Sequence, residues 1–341
     1  MNPKSSTRET PPPSTEWGAR KHVLDTDDFS RHEIDLVLDT AETMLSVLNR
    51  DIKKVPSLRG KVVLTLFNEA STRTRVSFEQ AAKMLSADVI NITPTSSSAE
   101  KGESLLNTVL TLQAMHADVL VMRDSASGSP YFAARNLTNM KVVNAGDGQH
   151  AHPTQALLDA FTIKRHLGNL EGTKIVMVGD ILHSRVARSN IWALATLGAN
   201  VVLSGPPTLL PKEPISIQNQ NGDISADGQT LDVCVETNLD YAIKDADVVI
   251  ALRLQKERQA KGMIPSLREY TRRWLITDSR LNKAKPEVLL MHPGPLNEGV
   301  EISSSLAHGL SSRVEEQVTN GVAIRMALLY LLLTGVPIKE P

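Results

Sequence analysis

Three hydroxyls and two guanidinium groups crowd one short stretch, Ser71-Thr72-Arg73-Thr74-Arg75. Such side chains bind phosphate through charge-assisted hydrogen bonds. The run before them, Val62-Val63-Leu64-Thr65-Leu66-Phe67, is apolar and β-branched and predicts a buried parallel strand over 61–67. The run after them carries apolar residues at 78, 81, 82 and 85, which share one helix face. Ser71 to Thr74 therefore sit at a strand-to-helix turn, where free N–H groups and the positive end of the helix dipole collect. That is a phosphate cradle built without glycine. A plain N-cap with solvated arginines also satisfies the pattern. Two Thr-Arg pairs in tandem, straight after a buried strand, favour the anion site.

Ligands of parallel α/β sheets gather beyond the carboxyl ends of the strands. A serine-rich loop containing Ser97 leads to Lys101, and the predicted strand 118–122 ends at Arg123. A polar crossing loop supplies His150, His152 and Gln155. Strand 174–178 leads to His183-Ser184-Arg185, strand 247–251 to Arg253-Leu254-Gln255, and strand 287–291 to His292-Pro293-Gly294-Pro295. Each arginine alone is an ordinary surface group; their recurrence at strand ends carries the inference. A site of Arg73, Lys101, Arg123, His152, Arg185 and Arg253 suits one or two small polyanions. Each charge-assisted bond contributes roughly 1.5–3 kcal/mol, so several can hold such ligands against hydration.

Other chemistries lack their residues. No matched carboxylate pair stands at the strand ends, which disfavours glycoside hydrolysis. The Walker A pattern is absent, Val178-Gly179-Asp180 lacks the dinucleotide glycine fingerprint, and no Gly-x-Ser-x-Gly occurs. His150 and His152 lack further acidic or sulfur ligands, so neither a metal nor a cofactor is expected.

The elements that must hold these residues alternate regularly. A helix over 33–48 comes first. Strand 61–67, helix 73–86, strand 88–93, helix 103–115, strand 118–122, a short helix near 131–136 and strand 140–144 follow. A second series has helix 153–166, strand 174–178, helix 184–197 and strands 200–203, 231–235, 247–251 and 287–291. A long helix over 317–333 ends the pattern. The expected class is α/β, with two tandem domains, each a mainly parallel sheet flanked by helices, and the C-terminal helix packing back on the first. The expected boundaries are a mobile tail at 1–20, a first domain of 21–152 plus 318–341, and a second of 153–317. Residues 206–230, rich in Pro, Asn and Gly, read as a loop or insertion.

The chain has 341 residues, enough for two cores, with 41% hydrophobic and 22% charged residues. Its net charge of −1 gives no global field toward nucleic acid or an anionic membrane. The one cysteine, Cys234, excludes a disulfide framework and reads as a buried packing thiol of a reducing compartment, the cytoplasm. Neither a secretory signal at the start nor an apolar run long enough to span a membrane is expected.

Taken together, Ser71-Thr72-Arg73-Thr74-Arg75, Lys101-Gly102-Glu103, Val121-Met122-Arg123, His152-Pro153-Thr154-Gln155, Arg253-Leu254-Gln255 and His292-Pro293-Gly294-Pro295 closely resemble the aspartate carbamoyltransferase catalytic-chain family over about residues 22–337. The resemblance implies transfer of a carbamoyl group from carbamoyl phosphate to the amino group of L-aspartate. It makes the first domain the carbamoyl-phosphate side and the second the aspartate side. Ser71, Thr72, Arg73 and Thr74 would hold the phosphate. Thr74, Arg123 and His152 would address the carbonyl oxygen, and Gln155 with the Gly294-Pro295 turn the carbamoyl NH2. Arg185, Arg253 and Gln255 would grip the aspartate carboxylates. Ser97 and Lys101 would reach into a neighbouring subunit's site, which implies a homotrimer with shared active sites.

An ornithine carbamoyltransferase shares the phosphate half, but the resemblance to it lacks that family's cysteine at the place of Gly294. A catalytically silent scaffold subunit is a further alternative, and it would be expected to have lost the site arginines. Ala70, Asn68 and Glu100 depart from the family pattern, and Glu100 is expected to weaken the potential beside Lys101. The proline-bearing tail resembles extensions of bacterial catalytic chains that assemble with a dihydroorotase-like or regulatory chain. Such a partner is therefore an expectation here, while nucleic-acid and membrane partners are not.

Overall fold

The computed structural model describes residues 17–92, 103–212, 215–217, 231–255 and 263–336. The first series comprises α1 (Arg31–Leu48), β1 (Val62–Phe67), α2 (Thr72–Met84), β2 (Asp88–Ile92), α3 (Leu105–Ala114), β3 (Val119–Asp124), α4 (Ser129–Asn136) and β4 (Lys141–Asp147). The second comprises α5 (Pro153–Leu167), β5 (Lys174–Val178), α6 (Arg185–Thr196), β6 (Asn200–Ser204), β7 (Ile215–Ile217), β8 (Leu231–Val235), α7 (Leu239–Ile243) and β9 (Val248–Ala251). It continues through α8 (Leu267–Trp274), α9 (Asp278–Leu281), β10 (Leu289–Met291), α10 (Ser304–Ala307) and α11 (Val314–Thr334).

The four-stranded sheet has the order β2-β1-β3-β4 and is wholly parallel. The six-stranded sheet runs β10-β9-β5-β6-β8-β7 and is parallel except for β7, which pairs antiparallel with β8 at the edge. Strands β1, β3, β4, β5 and β9 are buried on both faces, while the edge strand β2 is largely exposed. In the first sheet Val63, Val119 and Val121 join one apolar cluster, while Leu64, Leu66, Leu120 and Met122 join another. Period-two alternation inside a continuous apolar run is what a covered parallel sheet requires. The first of these clusters continues through α5, α6 and α11 to Ile175 and Met177 of the second sheet. The two sheets thus share part of one core.

Local signals fix the helix ends. Ser30 caps α1 in a reciprocal box: its hydroxyl accepts from the Glu33 N–H at 3.2 Å, and Glu33 Oε2 accepts from the Ser30 N–H at 2.9 Å. The C-terminal helix α11 packs on α1, α2 and α5. It is apolar nearly all round, as a helix inside a core must be. By length and composition α11 is able to span a membrane, but 72% of its apolar stretch is buried within the protein. Each of its buried leucines contributes roughly 1.5–3 kcal/mol.

Four expectations need amendment. Of the predicted tail, residues 17–20 are packed: Trp17 is buried, and Arg20 lies 4.0 Å over the Phe29 ring and pairs with Glu33 and Asp28. Residues 1–16 lie outside the described residues. Cys234 is exposed, not buried. Strand alternation at β8 turns Val233 inward and Cys234 outward, and nothing described covers that face. The stretch 206–230 contains a 3-10 turn, Pro207–Leu209, and β7, both too short to leave a periodic signal. Helices α7, α9 and α10 went unread for the same reason, and α8 did too, although it buries Tyr270 and Trp274 one turn apart among charged residues.

Candidate active site

The carboxyl ends of β1, β3, β5, β9 and β10 open on one cleft of about 390 Å³ between the two sheets. Its wall contains Arg73, Arg123, Arg185, Arg253 and Arg325, and one carboxylate among the described residues, Glu69. A cleft so lined attracts anions even though the chain is nearly neutral.

The β1–α2 turn forms the floor. Ser71 is the N-cap of α2 with extended backbone, but its hydroxyl makes no capping bond. Ser71 lacks the side-chain bond of a plain N-cap and lines the cleft with Thr72, Arg73 and Thr74. The first N–H groups of α2 point the same way. Parallel register sets Phe67 beside Arg123, and the Asn68 N–H donates to the Arg123 carbonyl at 2.9 Å. The end of β3 is thereby fixed against this turn.

Arg123 is buried; it donates to the Ala145 carbonyl (3.1 Å) and to Glu69 (2.9 Å). Arg185, the first residue of α6 behind the cap Ser184, donates twice to Glu69 at 2.8 and 2.9 Å. Both guanidinium groups lie over Gly146, whose φ is +112°. A Cβ there would stand 3.0 Å from Nη1 of Arg123 and from Cζ and Nε of Arg185. Only glycine leaves that space at that backbone angle.

His152 is buried as the N-cap of α5, and its N–H donates to Ser189 Oγ at 2.9 Å. Gln155 follows in the first turn of the same helix and lines the cleft. Beyond β9, the Leu254 N–H donates to the buried Glu301 at 2.9 Å, which sets Arg253 and Gln255 on the cleft wall. Gln255 Oε1 is buried with no hydrogen-bond partner among the described residues. Beyond β10, Glu301 also faces His292 Nε2 at 3.0 Å, while His292 Nδ1 accepts from the Gly294 N–H at 2.8 Å. The ring is therefore the Nε2–H tautomer, donating to Glu301. Burial alone would raise the Glu301 carboxyl, but bonds from His292, Asn297 and the Leu254 N–H hold it below its ordinary range. One carboxylate thus braces two loops of the second half. Gly294 has φ +68°, and a Cβ on it would overlap Nη1 of Arg73.

Ser71, Thr72, Arg73, Thr74, Arg123, His152, Gln155, Arg185, Arg253, Gln255, Gly294 and Pro295 all meet in this cleft. Ser97, Lys101 and Glu100 lie outside the described residues. His150 turns away to Asp147, 3.2 Å from its carboxylate. No group of three or more metal-ligating side chains occurs among the described residues.

Sequence reasoning missed Glu69, Ser77, Gln317 and Arg325. Arg325 is buried in α11, donates to Ser77 Oγ at 2.8 Å and lies 5.1 Å over the Phe78 ring. Burial, then the charge of Arg123, lowers its guanidinium to about 10. A lone cation inside the apolar run 322–333 was the signal for it.

Comparison with known proteins agrees with this geometry. Residues 21–165 match the family model described as aspartate/ornithine carbamoyltransferase, carbamoyl-P binding domain, and residues 171–332 match its Asp/Orn binding domain. The chain is 56% identical over 313 residues to the aspartate carbamoyltransferase catalytic subunit of Roseiflexus sp. (strain RS-1), covering 92% of this chain and 95% of that one. The Trypanosoma cruzi aspartate transcarbamoylase in complex with carbamoyl phosphate and aspartate superposes with a TM-score of 0.80 at 30% identity, covering 94% and 99% of the two chains. The Pyrococcus furiosus ornithine carbamoyltransferase also gives 0.80, at 28% identity over 93% and 98%. With both domains matched in order and the cleft residues converging between them, the chain belongs to the aspartate/ornithine carbamoyltransferase family.

Proposed function

We propose that the protein is an aspartate carbamoyltransferase. It transfers the carbamoyl group of carbamoyl phosphate to the α-amino group of L-aspartate, giving N-carbamoyl-L-aspartate and phosphate, the committed step of pyrimidine synthesis. The observation that carries this reading is the convergence on one cleft of Arg73 and the α2 N-terminus from the first half with Arg185 and Arg253 from the second.

In this reading Ser71, Thr72, Arg73 and Thr74 hold the phosphate. Thr74, Arg123 and His152 donate to the carbonyl oxygen, where negative charge grows as the amine attacks. Gln155 and the carbonyls of the Gly294-Pro295 turn take the carbamoyl NH2. Arg185, Arg253 and Gln255 take the two carboxylates of aspartate. The new bond joins the amine nitrogen to the carbonyl carbon. The bond from that carbon to the phosphate oxygen breaks, and the departing phosphate accepts the amine proton. Positioning and fixed charge supply the catalysis.

The fold does not separate aspartate from ornithine, since both enzymes superpose equally well. Charge does: ornithine would bring a cationic side chain toward two arginines. An assay offering carbamoyl phosphate with aspartate or ornithine tests the reading. Product is expected with aspartate alone; turnover of ornithine in its place overturns it.

The working form in this proposal is a cytoplasmic homotrimer in which Ser97 and Lys101 complete a neighbour's site. Support comes from exposed apolar side chains, Ile90, Leu110 and Met115, on the first half, and from the single cysteine. The N-terminal tail would dock a dihydroorotase-like or regulatory chain. A tail-deleted form that keeps both its size in solution and its nucleotide response would refute that part.

A further inference from the structure

Gln155 meets the cleft with its amide already committed on the other side. Its Nε2 donates to Oδ1 of Asp159 at 2.9 Å, one turn along α5. Asp159 is completely buried and lies outside the cleft wall. Its carboxylate takes two more amides: Nε2 of Gln317 on Oδ1 at 2.8 Å and Nδ2 of Asn190 on Oδ2 at 2.8 Å. These orientations are fixed from outside by backbone groups. The His292 N–H can only donate, and it donates to Gln317 Oε1 at 3.0 Å, so Gln317 must turn its nitrogen to Asp159. The Val186 carbonyl can only accept, and it holds Asn190 Nδ2 at 3.1 Å. Three N–H donors converge on the two Asp159 oxygens, so the carboxylate serves these neighbours as an acceptor, although burial raises its carboxyl to about 6.

The consequence falls on Gln155. Turned over, its amide would set oxygen against carboxylate oxygen and strand a buried acceptor. Held as it is, it offers its oxygen to whatever occupies the cleft. We propose that Asp159 is the positioning residue that makes Gln155 a hydrogen-bond acceptor, and that this makes the cleft prefer a carbamoyl donor over an isosteric acyl phosphate with a methyl in place of NH2. The inference rests on the carbamoyl phosphate reading above. A site built to accept from an N–H rejects an analogue that lacks it, because the acceptor is then left unpaired.

The experiment compares the KM of carbamoyl phosphate with the inhibition constants of acetyl phosphate and of inorganic phosphate, in wild type and Asp159 variants. Asp159→Ala removes the acceptor and lets the Gln155 amide turn. It is expected to weaken carbamoyl phosphate about tenfold or more, while acetyl phosphate and phosphate change by less than about twofold. Asp159→Asn still offers Oδ1 to Gln155 and Gln317 but sets its Nδ2 against that of Asn190, and it is expected to restore part of the discrimination. Should Asp159→Ala not fold, Asp159→Glu shifts the same acceptor by one methylene and is expected to lower the same ratio. Equal weakening of all three ligands, or a ratio unchanged from wild type, overturns the inference while leaving the function standing. A wild-type protein that does not bind carbamoyl phosphate overturns both.

Discussion

Glu69 grips both ends of the Arg185 guanidinium: its Oε2 accepts from Nη1 at 2.8 Å and its Oε1 from Nη2 at 2.9 Å. The two residues stand 116 positions apart, Glu69 after β1 of the first sheet and Arg185 at the head of α6 behind the second. The same carboxylate takes Arg123 at 2.9 Å. Two guanidinium groups packed over Gly146 would repel one another. One shared carboxylate offsets that and fixes both directions.

Removing the shared carboxylate should therefore misplace two arginines at once. Glu69→Gln is expected to lower kcat about tenfold or more and to raise the KM for aspartate, since bidentate pairing to a charged partner exceeds a neutral bond by about 1–2 kcal/mol. Steady-state kinetics checks this. A variant within twofold of wild type in both constants would sink it.

Arg325 should serve phosphate binding, not stability. No carboxylate among the described residues pairs with it, and it lines the same cleft as Arg73 and Thr74 while donating to Ser77. A buried charge without an ionic partner costs folding energy, so an apolar replacement of similar length is tolerated. Arg325→Met is expected to keep or raise the melting temperature and to weaken competitive inhibition by phosphate about tenfold. Unchanged phosphate inhibition would refute the role.

If sites are shared between subunits, two dead chains can repair one another. Lys101→Ala and Arg73→Ala are each expected to abolish turnover while leaving the fold intact by circular dichroism. Mixing them after gentle dissociation should regain activity through hybrid trimers. No recovery in the mixture, or a Lys101→Ala chain of near-normal turnover, counts against the shared site.

Asp25 gives a pH test of the fold. It is buried, Ser189 Oγ donates to its Oδ1 at 2.6 Å, and the Thr26 N–H donates to it at 2.8 Å. Burial outweighs these bonds and raises its carboxyl from 3.8 to about 6. The folded state thus holds this proton more tightly than the unfolded chain. The stability it contributes is present in full below pH 3.8 and is lost as pH rises through 6. Relative to Asp25→Asn, wild type is expected to lose about 2 kcal/mol of unfolding free energy between pH 4 and pH 8 at fixed protein concentration. Denaturant unfolding at both pH values measures it, and a difference independent of pH would contradict the assignment.

How far the sequence reached can be followed in single residues. Hydrophobic period and β-branching fixed β1, β3 and β5 within a residue or two, because a strand covered on both faces writes itself as a continuous apolar run. Helices α7, α9 and α10 and strand β7 are too short for any period, and packing decides them; α8 is as long as α4, and its one buried pair, Tyr270 and Trp274, lies among charged residues. Cys234 was misjudged because an apolar run says that a strand is present but not which of its faces is covered.

The sequence by itself determined which chemistry was available: arginines, hydroxyls and amides recurring at strand ends, with no paired carboxylates or glycine fingerprint. It also fixed the strand-to-helix turns that present them, since those depend on neighbouring residues. Only the tertiary structure decided that Glu69 joins Arg123 to Arg185, that Arg325 comes up beneath Ser77, and that Asp159 gathers three amides from three helices. Those contacts join positions up to 248 residues apart. Their geometry follows from how two sheets and α11 pack around one core, and no local pattern along the chain records that.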